Sequence, residues 1–216
     1  MSWFVLSVLT GDGKAGVVAS GVVSVLHTTN GLRDLRYAAD ALVILAGIPG
    51  AGKTTLLRRL YPVGADHGGV RVFDSERLRA RWMRVLGRVP YAWWRPLLHL
   101  AYYARVLTAM RPGGGPLVVH DCATRPWVRR LLGWRARRAG LPSHLILLDV
   151  PGDVARSGQW ARGRVVRTGS MATHCQRWPD LVAKAAEDPG YVVPGALSAE
   201  VLTRAQANNV ARIYFS

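Results

Sequence analysis

The chain has 216 residues, enough for one well-buried domain of the α/β size class and too few for two. Half of them are hydrophobic, which excludes intrinsic disorder as the default state. The formal net charge of +16 calls for an anionic partner such as nucleic acid, a nucleotide or a membrane surface.

Lysine is confined to Lys14, Lys53 and Lys184, so arginine carries almost all of that charge. Arginine's planar fork suits phosphate better than a point charge does, although arginine replacing lysine on solvated faces would produce the same bias. Cys122 and Cys175 make no disulfide framework, and a reducing cytosol is the expected compartment. His120 near Cys122 and His174 next to Cys175 match no zinc spacing. No run approaches the roughly 18 apolar residues of a membrane span. Trp3 to Leu9 is apolar but has no basic region before it, so a signal peptide is not expected.

Residues 1–40 read as an N-terminal extension of unclear role, packed beside the core or partly disordered. Two apolar patches, Trp3 to Leu9 and Val17 to Leu26, flank Gly11-Asp12-Gly13-Lys14, which has the composition of a hairpin turn. From residue 41 to 216 the pattern is that of a regular domain. Short apolar runs recur at Leu42 to Ala46, Val70 to Phe73, Leu117 to His120 and Leu145 to Val150, with helical stretches between them. Runs of this kind are strands buried on both faces, and their alternation with helices predicts a central parallel sheet of about five strands. The fifth strand falls at Glu200 to Leu202 or at Arg212 to Phe215.

After the first run comes Gly47-Ile48-Pro49-Gly50-Ala51-Gly52-Lys53-Thr54, followed by Thr55. It has the form Gly, four residues, Gly-Lys-Ser/Thr, between a strand and a helix, which is the Walker A phosphate loop in its required context. Backbone N–H groups at Gly47, Pro49 to Gly52 and the following helix start would converge on a triphosphate, proline lending its place in the turn rather than a donor. Lys53 would reach the β- and γ-phosphates, and the Thr54 hydroxyl would help to hold Mg²⁺. The expected ligands are therefore ATP and Mg²⁺.

Ligands of open parallel sheets bind beyond the carboxyl ends of the strands. There the second run presents Asp74-Ser75-Glu76-Arg77, the third Asp121, and the fourth Pro151-Gly152-Asp153. Asp74 could take a proton or cap the helix that starts near Ser75. Asp121 could organise the metal, through a bound water or Thr54, or cap a helix near Thr124-Arg125-Pro126.

The phosphate loop, the Asp-x-x-Arg of Asp74 and Arg77, the strand-end Asp121 and the run Arg162-Gly163-Arg164-Val165-Val166-Arg167 together resemble P-loop phosphotransferases of the polynucleotide kinase and zeta-toxin type, over residues 41 to about 190. The resemblance implies a P-loop three-layer α/β sandwich with an arginine-rich lid at about 154–175. It implies that Asp74 contacts the acceptor hydroxyl, that Arg77 holds an acceptor phosphate, and that Arg162, with Arg164 and Arg167 behind it, offers a cation to the nucleotide phosphates. Where the family places another arginine, four residues before the Arg-Gly pair, this chain has Gly158.

Between the second and third runs, Trp82, Tyr91, Trp93, Trp94, Tyr102 and Tyr103 alternate with Arg79, Arg81, Arg84, Arg88 and Arg95. This is the composition of a single-strand nucleic-acid groove, and equally of an amphipathic helix with aromatic core residues. In a helix over Thr124 to Ala139, stopped by Gly140, Trp127, Leu131 and Trp134 are expected to face the sheet, with Arg129, Arg130, Arg137 and Arg138 outward. Near the C-terminus, Arg204 could stack on a base. The expected activity is transfer of the γ-phosphoryl of ATP to a hydroxyl, by preference the 5′-hydroxyl of a nucleic acid. A small-molecule or nucleotide-sugar kinase, or an ATP-dependent switch without an acceptor, would need nearly the same residues. Oligomeric state is not legible.

Overall fold

Two short strands come first, β1 (Ser24–His27) and β2 (Arg33–Tyr37), in a computed structural model that describes residues 24–27, 32–160 and 168–216. The chain then enters β3 (Leu42–Gly47), whose six residues are all buried, turns through the phosphate loop and runs down α1 (Lys53–Leu60). There follow β4 (Arg71–Phe73), α2 (Ser75–Leu86), α3 (Tyr91–Ala109), β5 (Leu117–His120), α4 (Pro126–Arg138), β6 (Ser143–Leu148) and α5 (Gly152–Trp160). The remainder is α6 (Thr168–Glu187), α7 (Pro189–Val192), β7 (Ala196–Leu202), α8 (Arg204–Asn209) and β8 (Val210–Phe215).

Five strands make one parallel sheet in the order β4-β5-β3-β6-β7, flanked by helices, which is the expected architecture. Burial follows position in that order. β3, β5 and β6 are interior strands with no exposed residue, whereas the edge strand β4 is only half-buried throughout. Both segments considered for a fifth strand are strands. Ala196–Leu202 closes one edge of the parallel sheet, and Val210–Phe215 pairs instead with β2, which in turn pairs antiparallel with β1. The smaller sheet is tied to the larger one by Leu35 and Tyr37 in the core and by an Arg33–Glu200 ion pair of 2.5 Å.

Two expectations need correction. β6 begins at Ser143 and ends at Leu148, not Leu145 to Val150. Its first two residues are polar but hidden, because Ser143 donates to the Gly195 carbonyl and His144 lies 2.8 Å from the Ser198 hydroxyl, both on the β7 side. The inward face of α4 is also rotated. Val128, Leu132, Gly133 and Ala136 are buried, while Trp127 and Trp134 are about half exposed. Gly133 sets this rotation, since a Cβ there would stand 2.4 Å from the Pro194 carbonyl oxygen. Trp127 rests edge-on against Tyr103 and Trp134 lies under Arg138, so neither ring needs the core. Arg129 turns inward and donates to the carbonyls of Val192 and Ala123.

His144 gives the fold a pH dependence. Burial lowers its imidazole from the usual 6.5 to about 4. The folded chain thus binds fewer protons than the unfolded chain between those values, so stability present above about pH 6.5 is lost as pH falls toward 4. Urea unfolding across that pH range should show this slope, and His144→Asn should flatten it.

Candidate active site

The phosphate loop leaves the carboxyl end of β3, held between β5 and β6 by parallel ladders on both sides. Its glycines answer two separate demands. Gly50 has φ +94° and packs so closely on α5 that an added Cβ would lie 2.1 Å from the Ala155 carbonyl oxygen. Gly52, at φ +106°, is the left-handed N-cap of α1 and supplies no side-chain bond to the helix. The first-turn N–H groups of α1 therefore have no side-chain cap, and that end carries the positive pole of the helix. Lys53 is buried, with its ammonium donating to the carbonyls of Gly47 at 2.6 Å and Ile48 at 3.0 Å. Ile48 and Ala51 are buried, Pro49 and Thr54 are half-buried, and Thr55 is exposed.

Gln159 of α5 braces this loop from outside, donating to the Pro49 carbonyl at 2.8 Å. Sequence reading passed over it, since a glutamine in a helix announces nothing until the helix is docked. Arg156, also on α5, is exposed. Arg162, Arg164 and Arg167 lie outside the described residues, as does the middle of the expected lid.

At the end of β4, Asp74 is buried and caps α2 as anticipated, its Oδ1 accepting from the Glu76 N–H at 3.0 Å. The same oxygen stands 2.7 Å from Nδ1 of His120, the last residue of β5. Capping therefore engages one carboxylate oxygen and leaves Oδ2 without a hydrogen-bond partner, buried 4.0 Å from the Arg77 Nε. Burial pushes the Asp74 carboxyl up. The hydrogen bond and charge of His120, the Glu76 N–H and Arg77 outweigh that and hold it below the ordinary carboxylate value, so it is ionised near neutrality. Arg77 donates to the Tyr61 carbonyl at the end of α1. Beside it lies a cavity of about 190 Å³ between β4, α2 and α3, lined by Asp74, Arg77, Arg81, Tyr102 and Arg105.

Asp121 follows β5. Its Oδ1 accepts from the Tyr103 hydroxyl at 2.8 Å and its Oδ2 from the Ala123 N–H at 2.9 Å, so it ties the loop before α4 rather than capping that helix. Burial and the Asp121 charge push the Tyr103 phenol far up, and it remains a donor. Thr124, in the same loop, lies 2.8 Å from Nδ1 of His174 on α6. Burial lowers the His174 imidazole, and Lys53, Arg125 and Arg177 lower it further, which marks this end of the sheet as a positive field. In the sequence His120 and His174 stand out only as neighbours of cysteine, and Tyr103 only as one of the aromatic set. Only the adjacency of β4 and β5 brings His120 to Asp74.

Of the aromatic set, Trp94, Tyr102 and Tyr103 are core residues. Tyr102 donates to the carbonyls of Phe73 and His120, pinning the ends of β4 and β5. Tyr91 lies under Arg79 and against Trp94, and Trp82 also meets Trp94. Trp93, 78% exposed, is the member turned fully outward. Arg204 is exposed on α8.

The uncapped α1 terminus, the two left-handed glycines and the buried Lys53 fit a nucleotide triphosphate. Among the described residues no group of three or more His, Cys, Asp or Glu could hold a metal ion. A Mg²⁺ here would be completed by phosphates and water, as is usual for that ion.

The AAA-domain family model matches residues 42–177, more than half of the chain. No curated protein matches in sequence. Among solved structures, a candidate kinase of Chloroflexus aurantiacus is 18% identical, with 77% of this chain and 86% of that one covered, at a TM-score of 0.54. A structure from the PezAT toxin–antitoxin system of Streptococcus pneumoniae is 12% identical, with 82% and 73% covered, at a TM-score of 0.57. These likenesses show the fold alone. In the described residues no helix is long and apolar enough to cross a membrane.

Gly50→Ala is expected to displace the loop from α5 and to weaken ATP binding at least tenfold, about 1.4 kcal/mol or more. Titration with a fluorescent ATP analogue, beside a melting curve, checks it.

Proposed function

The chain belongs to the AAA-domain family, and we propose that within it the protein is an ATP-dependent phosphotransferase that moves the γ-phosphoryl to a hydroxyl acceptor. The observation that carries this reading is the placement of two unlike groups at the same end of one sheet. A nucleotide-ready loop leaves β3, and a buried, ionised carboxylate held by an imidazole stands two strands away, at Asp74. A switch that only hydrolyses ATP has no need of the second group.

Phosphoryl transfer depends on alignment, on a group to receive the acceptor proton, and on positive charge around the migrating phosphoryl. Lys53 and the loop amides hold the donor phosphates, Thr54 and Asp121 steady Mg²⁺, and Arg162, Arg164 and Arg167 are candidates to close over the nucleotide. Asp74 supplies the negative charge of the proton-accepting centre. Arg77, Arg81 and Arg105 line the neighbouring cavity and would favour an acceptor that carries phosphate of its own. With the net charge of +16, this supports a nucleic-acid 5′-hydroxyl as the preferred acceptor. The modest size of that cavity favours a second reading, in which the acceptor is a phosphorylated small molecule or a nucleotide sugar.

The test is to supply γ-labelled ATP with a panel of 5′-hydroxyl DNA and RNA, nucleosides, sugars and nucleotide sugars, and to follow the label. Transfer to oligonucleotide that weakens steeply with added salt supports the first reading, and transfer only to a small molecule supports the second. Asp74→Asn is expected to slow transfer by about a hundredfold or more while ATP affinity changes little. ATP turnover insensitive both to Asp74→Asn and to every acceptor would identify a switch.

A further inference from the structure

The helix α3 is longer than the strands it covers. Its last residue lies at their start, where the Ala109 carbonyl accepts from Arg71, the first residue of β4. Tyr102 lies at their ends, donating to the carbonyls of Phe73 and His120, the last residues of β4 and β5. The helix therefore runs antiparallel to both strands, and the half from Tyr91 to Ala101 reaches past their carboxyl ends.

That projecting half is apolar on two sides. Trp94, Leu98 and Tyr102, at four-residue spacing, are buried. Trp93, Leu97, Leu100 and Ala104 follow one another by four, three and four positions and are all exposed, which makes them a single outward stripe about 16 Å long. Leu97 is 59% and Leu100 68% exposed. One leucine at a surface needs no explanation, but tryptophan and two leucines along one helix face mark a surface built to be covered. Val85 and Val89, where α2 hands over to α3, are exposed as well.

The charge on this hairpin decides what covers it. Between Glu76 and Asp121 the chain has no acidic residue, while Arg84, Arg88 and Arg95 are exposed. A second copy of the chain would bring arginine against arginine with no carboxylate to pair them. A single-stranded nucleic acid would meet the charge but not the stripe, because stacking needs open rings. Trp94, Tyr102 and Tyr103 are buried and Tyr91 lies under Arg79, which leaves Trp93 among leucines that offer a base no π face. An anionic bilayer satisfies both features at once, with headgroup phosphates for the guanidinium groups and the acyl boundary for tryptophan and leucine.

We propose that the α2–α3 hairpin docks the protein peripherally on membranes rich in anionic phospholipid. Trp93, Leu97 and Leu100 enter the boundary between headgroups and acyl chains, and Arg84, Arg88 and Arg95 pair with lipid phosphate. The contact is interfacial and needs no spanning helix. Because the hairpin overhangs the carboxyl ends of the strands, docking turns that end of the sheet, and the phosphate loop with it, toward the lipid. The surface is independent of the acceptor chemistry proposed above.

The test mixes the full chain with vesicles of phosphatidylglycerol and phosphatidylcholine in equal parts, or of phosphatidylcholine alone, and reads the bound fraction by flotation. Wild-type protein should bind the anionic vesicles more tightly by about tenfold or more, and added salt should weaken that binding. Leu97→Gln/Leu100→Gln removes apolar surface without changing charge. It should lower affinity for the anionic vesicles by about tenfold or more, with the melting curve and fluorescent-ATP affinity as in wild type. Arg84→Gln/Arg88→Gln/Arg95→Gln should abolish the preference for phosphatidylglycerol. Vesicle binding that the leucine pair leaves unchanged is mere adsorption of a basic protein and would overturn the proposal, as would no binding at all. Wild-type protein that dimerises without lipid and becomes monomeric in Leu97→Gln/Leu100→Gln would overturn it in favour of a second copy. An oligonucleotide that displaces the vesicles and is released by Trp93→Ala would overturn it in favour of nucleic acid.

Discussion

The position of β3 governs the rest of the molecule. Parallel ladders from β5 and β6 hold it on both sides, so the point at which the chain leaves the sheet and turns into the phosphate loop cannot drift. A loop rich in glycine has little stiffness of its own, and its shape has to be imposed from outside. The strand imposes it from below and α5 from the side, where Ala155 stands close enough to Gly50 to exclude any side chain. Gln159 adds a hydrogen bond to the same loop, and the Lys53 ammonium binds its first carbonyls from within.

A second constraint joins the two halves of the cleft. The ends of β4 and β5 are drawn together by Tyr102, which donates to a carbonyl on each, and by the Asp74–His120 contact between the residues that finish them. Buried polar groups are costly unless satisfied, and here most are satisfied by one another, which fixes their mutual geometry as well as their burial. Two of the buried side-chain atoms without a hydrogen-bond partner among the described residues, Asp74 Oδ2 and Arg77 Nε, belong to residues that line the cavity. Asp74 caps α2, anchors His120 and contributes charge, three roles that one carboxylate can combine because its two oxygens are differently engaged.

Arginine has more than one use in this chain. Arg59, Arg71, Arg129 and Arg135 all donate to backbone carbonyls across elements, closing strand and helix ends that would otherwise lack partners. Arg79 and Arg138 cover aromatic rings. The charge that reads in composition as an appetite for phosphate is therefore shared between structural bonds and the cleft, where Arg77, Arg81 and Arg105 line the cavity.

The sequence by itself determined the phosphate loop, the four apolar runs, three of which are interior strands and one an edge strand, and the carboxylates that follow them. The reason is that strands buried on both faces must be continuously apolar, and that a phosphate turn needs glycine at fixed spacing; both are local demands, written in consecutive residues. It misjudged the face of α4, because apolar spacing alone could not reveal that Gly133 lets Pro194 approach and turns Trp127 and Trp134 outward. It left the fifth strand between two segments, both of which are strands, since only pairing assigns one to each sheet. It set His120 aside as a histidine without a zinc spacing and passed over Gln159. Neither residue carries a motif, and each gains its role from a partner 46 or 110 positions away in the chain, brought within hydrogen-bond distance by strand order and by the docking of α5.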